Sequence, residues 1–375
     1  MAGIYFHIPF CIKKCGYCDF YSITDISFKK QFIDAVKKEI LQRKEEIISN
    51  GADTIYFGGG TPSLLSKNDF EAIFSEIFKY VDKSRVVEMT VEVNPDDVTK
   101  EYLTDLLEVG FNRLSIGTQS FDDGVLNFMN RRHSALQARE TVSLAQKVGY
   151  SNISIDLIYG VPGLNLDSWK KTVNTALMLN VQHISAYHLT FETGTPFYQK
   201  LKRGEIAELS DNDSLQQYSY LIKELNSKGF VDYEISNFAV SGFESKHNSS
   251  YWTGKDYIGI GPAAHSLYGN IRRWNVSSIK DYIYGLFNNA DYFTEEYLSE
   301  KDRYNEVVML SLRTRKGLCI SSLKELFNEH IWQHFYKELE IQLRNKNVIM
   351  EQGFIMVSDD KKMITDQIIS DFFMI

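Results

Sequence analysis

Strand-like and helix-like stretches alternate through more than half of this chain, and that order constrains the fold more than any single residue does. Residues 4–8 read as a strand. Residues 28–48 carry apolar side chains at helical spacing (Phe32, Ile33, Val36, Ile40, Leu41, Ile47, Ile48), with lysines and glutamates between them. An apolar strand over 54–57 runs into Gly58-Gly59-Gly60, and Ser66 suits the N-cap of the helix after it. Strands are expected over 86–93, 113–117, 153–158 and 183–190, separated by helices over 99–109, 135–147 and 166–179. A helix over 214–228 and a strand over 233–235 close the series. Repeated units of this kind make a parallel sheet with right-handed crossovers. About six of them make a partial or full (β/α) barrel, whose functional loops lie at the C-terminal ends of its strands.

After residue 238 the texture changes, with Gly, Asn, Ser and Tyr frequent. Residues 281–287, 294–327 and 331–344 look helical, and 348–375 suit a small hairpin and a helix. The expected organisation is a barrel core over 1–237, a connecting segment over 238–290 and a smaller, mostly helical C-terminal domain over 291–375. Hydrophobic residues make up 43% and charged residues 24%, so a buried core is expected rather than disorder. A net charge of -8 argues against a general nucleic-acid binder. No apolar run approaches the ~20 residues that span a bilayer. With no leader-like start, the expected location is the reducing cytoplasm; peripheral membrane contact stays open.

Three of the four cysteines, Cys11, Cys15 and Cys18, stand in one loop after the first strand. Their C-x3-C-x2-C spacing can hold three irons of a cubane [4Fe–4S] cluster and leave the fourth iron free for a small molecule; a purely electron-carrying cluster wants four cysteines. A structural zinc site also wants four ligands, and no cysteine or histidine follows Cys18 closely enough to complete one. Disulfides do not fit so few cysteines.

Other polar loops fall at strand ends. Gly58-Gly59-Gly60-Thr61-Pro62 lets the backbone approach a ligand and is not a P-loop, since no Gly-Lys-Ser/Thr follows. Glu92, Gln119 and Asp156 end successive strands, and Arg131 precedes a helix. Together they describe a site for a charged, zwitterionic, ribose-bearing molecule.

On these residues the chain resembles the radical S-adenosylmethionine superfamily, and within it the coproporphyrinogen oxidase-like branch. Tyr5, Cys11, Cys15, Cys18, the 58–62 loop, Glu92, Gln119, Arg131 and Asp156 carry the likeness, which covers nearly the whole chain. It implies that S-adenosylmethionine chelates the open iron and is cleaved on reduction to a 5′-deoxyadenosyl radical, an electron donor of flavodoxin or ferredoxin type supplying the electron. Gly59, Gly60 and Thr61 would meet the methionine part. Tyr5, Tyr17, Glu92, Gln119, Arg131 and Asp156 would hold the rest. The oxidases of the branch carry a fourth cysteine two residues after the third, where this chain has Phe20. Cys18-Asp19-Phe20-Tyr21-Ser22 and His247-Asn248-Ser249-Ser250-Tyr251-Trp252 resemble instead the HemW-type haem chaperones.

That resemblance implies haem as cargo at His247, Tyr251 and Trp252, passed to haem proteins such as respiratory enzymes, with a homodimer as one available state. Haem needs a whole pocket, and a lone histidine is more often a satisfied hydrogen-bonding group. Three other readings compete: oxidative decarboxylation of coproporphyrinogen III, another radical tetrapyrrole reaction that opens or methylates haem, and a cluster kept for structure or redox sensing. Tyr187 and 190–195 match the branch in a loop expected to line the site. His265 sits in a stretch where the branch usually has glycine at position 263 or 264, and a structural role is expected. Cys319 is expected to be a small buried hydrophobe.

Overall fold

The computed structural model describes residues 3–375; Met1 and Ala2, where the reading of the chain's start began, lie outside them. Six strand–helix units open the chain. They run β1 (Gly3–Ile8), α1 (Lys29–Gln42), α2 (Lys44–Asn50), β2 (Thr54–Gly59), α3 (Lys67–Ile77), β3 (Glu88–Val93), α4 (Lys100–Val109) and β4 (Arg113–Gln119). Then come α5 (Asp123–Phe128), α6 (Ala135–Val148), β5 (Ile153–Tyr159), α7 (Leu166–Met178), β6 (His183–His188), α8 (Pro196–Lys202) and α9 (Asp211–Ser227). Strands β1 to β6 are parallel and adjacent in order, so the expected partial barrel is present.

The sheet then extends at both ends. β7 (Phe230–Asp232) and β8 (Asn237–Val240) add antiparallel strands beyond β6. After α10 (Lys246–Trp252), β9 (Tyr257–Ile260) pairs parallel with β1, and β10 (His265–Tyr268), β11 (Ile271–Asn275) and, after α11 (Ile279–Asn288), β12 (Phe293–Tyr297) continue it to twelve strands. The C-terminal unit comprises α12 (Glu300–Leu312), β13 (Leu318–Cys319), α13 (Ile320–Leu326), α14 (Glu329–Arg344), β14 (Val348–Glu351), β15 (Phe354–Val357) and α15 (Thr365–Phe372). It has its own apolar core around Tyr304, Phe335 and Phe372.

The six parallel strands are polar on one face and apolar on the other. Tyr56, Glu92, Arg113, Ser115, Asp156 and Ser185 point inward. Their neighbours Ile55, Phe57, Val91, Leu114, Ile155 and Ile184 are fully buried against the helices. Phe57 is the hub of that outer layer, stacked on Phe6 at 4.5 Å and edge-on to Phe70, Phe74 and Phe111. Burying each such side chain contributes about 1.5–3 kcal/mol, so the outer face carries the stability and leaves the inner face free for polar groups.

Four expectations need correction. The helix over 28–48 is two helices that meet at Arg43. The Arg43 side chain is buried, and it donates to the Gly259 carbonyl at 2.7 Å and to Ser266 Oγ at 3.1 Å, tying α1 to the sheet extension. Residues 233–235 are no strand: they join β7 to β8, and Glu234 forms a lone bridge to Thr314. The stretch read as helical from 294 begins with β12, whose Glu295 and Glu296 oppose Arg273 and Arg272 of β11. Cys319 is not buried but caps α13, where hydrogen bonds with Ser321 and Ser322 hold its thiol down to about 7.

Candidate functional site

A cavity of about 950 Å³ opens at the C-terminal ends of the parallel strands. Its size is at the upper end for a small-molecule site. Cys11, Cys15 and Cys18 form one wall, all with free thiols. The loop that carries them is pinned on three sides: Cys11 N–H donates to the Ile23 carbonyl at 2.9 Å, Asn130 Nδ2 to the Lys14 carbonyl at 2.8 Å, and Phe197 N–H to the Gly16 carbonyl at 2.9 Å. Gly16 must be glycine, because a Cβ there would lie 2.3 Å from the Phe197 ring.

Donors approach the sulfurs from the facing loops. Thr61 Oγ1 donates to Cys11 Sγ and Arg131 Nη1 to Cys15 Sγ, each at 3.4 Å. Arg131 is held by Asn94 Oδ1 at 2.7 Å and the Gly117 carbonyl at 2.8 Å, and its Nε has no partner. Burial pushes the Cys18 thiol up to about 11, so at neutral pH it stays protonated until a bound metal displaces the proton into solvent. Among the described residues no three His, Cys, Asp or Glu side chains converge as they would around a single ion. Three thiols on one cavity wall, two of them met by donors, fit a cluster that takes one cysteine per iron.

The glycine loop sits beside this wall. Gly59 has φ +105°, and a Cβ at Gly60 would lie 2.7 Å from the Phe10 carbonyl oxygen and 3.2 Å from Cys11 Sγ. Two half-buried carboxyls line the same cavity, Glu92 close against the glycine loop. Burial pushes Glu92 up to about 7, against the pull of the Tyr56 hydroxyl that donates to it at 2.8 Å. Burial also raises Asp156, opposed by Ser185, by Arg113 and by Ser115, whose hydroxyl lies 3.2 Å from both carboxyl oxygens. Gln119 lines the cavity with φ +64°, a left-handed backbone that a glutamine adopts only under constraint from its surroundings.

The structure therefore brings Cys11, Cys15, Cys18, Tyr17, Gly59, Gly60, Thr61, Glu92, Gln119, Arg131 and Asp156 to one cavity. Tyr5 is not at its wall; its hydroxyl lies 3.2 Å from His7 Nδ1 and its ring stacks on Tyr56, which does line it. Tyr56, Arg113, Ser115, Ser185 and His188 also face the cavity and were not singled out, although their alternation along the strands was there to be used. The C-terminal unit contributes Arg313 and residues 362–366. It is tied down at Asp232, which accepts from Arg315 at 2.5 Å and from Lys362.

His247, Tyr251 and Trp252 do not line this cavity. His247 is 1% exposed, and both ring nitrogens are engaged, Nδ1 with Thr54 Oγ1 at 2.9 Å and Nε2 with the Tyr251 hydroxyl at 2.8 Å. Burial holds its pKa down to about 3, so the ring is neutral. Glu88 accepts from the Lys246 and His247 N–H groups and anchors α10. Trp252 packs under the Arg313 guanidinium at 5.6 Å. The motif joins the barrel to the C-terminal unit; His247, Tyr251 and Trp252 stay away from the cavity, and Asn248 alone of its residues lines it. His265 is exposed on β10 and stacks on Trp274 at 6.2 Å, and Ala263 sits at φ +60°.

Comparison with known proteins places these features. The radical SAM superfamily pattern matches residues 5–176, and the HemN C-terminal domain pattern matches 298–367. A Lactococcus lactis protein named heme chaperone HemW is 33% identical over 93% of each chain. Its Bacillus subtilis namesake is 32% identical over 98% of this chain and 96% of its own. The solved coproporphyrinogen III oxidase HemN of Escherichia coli superposes with a TM-score of 0.85 over 99% of this chain and 89% of its own, at 23% identity, a likeness of fold.

Proposed function

This chain belongs to the radical SAM superfamily, among HemW-like proteins, and from that premise we propose that it is a haem carrier that binds haem and delivers it to haem-accepting proteins. The observation that carries the reading is the near full-length similarity to proteins named heme chaperones. It is joined by Phe20, 59% exposed at the cavity, where the oxidases of the branch carry a further cysteine.

Family membership implies a [4Fe–4S] cluster and S-adenosylmethionine. The cluster would be held by Cys11, Cys15 and Cys18 and would supply one-electron chemistry, fed by an electron donor of flavodoxin or ferredoxin type. The protein's own part is placement. Thr61 and Arg131 hold the sulfurs in register. Gly59 and Gly60 let the backbone meet the methionine part of the ligand without a side chain between them. Glu92 and Asp156 face its ammonium and ribose, and Gln119 its adenosine end. The C-terminal unit closes the outer side and limits water.

The test is anaerobic. Cluster-loaded protein is titrated with haemin and then mixed with an apo-globin, and coproporphyrinogen III is offered separately with S-adenosylmethionine and a strong reductant. Haemin binding, transfer to the globin and no protoporphyrinogen formation are expected. Decarboxylation of coproporphyrinogen, or no haemin binding, overturns the reading.

A further inference from the structure

The end of β4 is irregular where it meets the cavity. Ile116 pairs with Ile155 and Gln119 with Leu157, so Gly117 and Thr118 stand opposite one residue of β5, Asp156. The ladder from β3 stops at Ile116. Two residues opposite one make a β-bulge, which re-aims a side chain at the edge of a site. Gln119 follows it at φ +64°, and the Ser120 N–H donates to the Thr118 carbonyl at 2.8 Å, closing a three-residue turn of the rare, strained hand. Gln119 lines the cavity with its amide nitrogen over Gly117, where a Cβ would come within 3.2 Å of it. That amide makes no hydrogen bond among the described residues.

A strained turn persists only where its surroundings hold it. Here the short segment before α6 does so. Arg131 Nη2 donates to the Gly117 carbonyl at 2.8 Å, and His133 Nε2 donates to the Thr118 carbonyl at 2.9 Å. The two carbonyls of the bulge are thus taken by two residues of one segment. Arg131 also serves Cys15 and Asn94, whereas the His133 ring makes this hydrogen bond and no other. The ring is 3% exposed, and its free Nδ1 lies 3.9 Å from Asp96 Oδ1. The carbonyl fixes the tautomer, because Nε2 must carry a proton to donate to it. Burial holds the ring pKa down to about 4, so the neutral form is present at physiological pH. His183 and His247, equally buried, engage both nitrogens within the fold. His133 spends its one bond on the strained turn.

We infer that His133 is a positioning residue that holds the bulged end of β4 so that the Gln119 amide meets the adenosine end of the ligand, a statement that rests on the reading of the cavity as a site for S-adenosylmethionine. Calorimetry of S-adenosylmethionine binding to the cluster-loaded, full-length protein tests it, with His133→Gln, His133→Asn and Gln119→Ala beside wild type. A glutamine amide reaches the place of Nε2, and an asparagine amide stops at the place of Nδ1. His133→Gln should bind as wild type does. His133→Asn should load the same iron and bind at least about tenfold more weakly, and should cost nothing further once Gln119 is alanine. The inference is overturned, and the site reading left intact, by a His133→Asn affinity equal to wild type, by equal losses in the two His133 variants, or by a loss that persists in full without the Gln119 amide. A His133→Asn protein that no longer folds or loads iron overturns it too, since the residue then serves the fold at large. Wild-type protein that binds no S-adenosylmethionine overturns both.

Discussion

Two buried polar regions of this molecule look alike in the sequence and differ in kind. The cavity wall gathers thiols, carboxyls and a guanidinium with donors and acceptors to spare, Arg131 Nε among them. The region around His247 gathers a histidine, a tyrosine, a threonine and a glutamate that use one another up. A satisfied buried network holds structure, and an unsatisfied one at a cavity is ready for a ligand. Motif residues of both kinds can be invariant in pattern, so a motif alone does not separate a site from a joint.

The comparison can be broken from either side. The largest effect is expected at the cysteines: Cys15→Ser should abolish the loading of iron and sulfide, read by metal analysis after anaerobic reconstitution, while urea unfolding of the metal-free protein changes little. Full iron content in that variant would remove the cavity wall from the argument. Next comes His247→Ala, which leaves Thr54 and Tyr251 unpaired around a void and should cost about 2–4 kcal/mol by urea unfolding. A variant of unchanged stability that has lost haemin would turn the joint back into a site.

Glu92 sharpens the contrast through pH. Its folded pKa of about 7 lies above that of an unfolded carboxyl, so the folded chain binds the extra proton. The resulting stability cost is absent below about pH 4.5, grows as pH rises, and is complete above about pH 7. Glu92→Gln should therefore raise the melting temperature of the ligand-free protein at pH 8 and leave it unchanged at pH 4, while S-adenosylmethionine binding measured by calorimetry weakens at least about tenfold. The same titration predicts that wild-type affinity for this ligand rises between pH 6 and 8. A smaller effect is expected where no ligand is involved. Ala263→Gly relieves a left-handed backbone and should stabilise the protein by about 0.5 kcal/mol, detectable as a shift in the urea midpoint.

The barrel was legible because its signals are local. The spacing of Phe32, Val36 and Ile40, the Ser66 cap and the apolar strands each act within a few residues, and apart from residues 233–235 the structure keeps them, with Ser66 in a capping box. The sheet extension was not legible: β9 to β12 are four or five residues long and take their identity from pairing, with β9 fixed by β1 some 250 residues earlier. The break at Arg43 has the same origin, since its partners Gly259 and Ser266 are remote. In the site, residues at strand ends were found and those one layer deeper, Arg113 and Ser115, were passed over. His188 was missed because a histidine at the end of a strand looks ordinary until the cavity is seen around it.

The two-faced strands have a consequence for how such a molecule can change. Residues that hold the fold and residues that face the ligand alternate along the same six segments, so substitutions at every second position can retune recognition while the packing against the helices stays as it was. A single-residue insertion or deletion within a strand does the opposite: it exchanges the faces, sending carboxyls into the helix layer and isoleucines into the chamber. Drift by replacement is cheap in this architecture, and drift by changed length is confined to the loops.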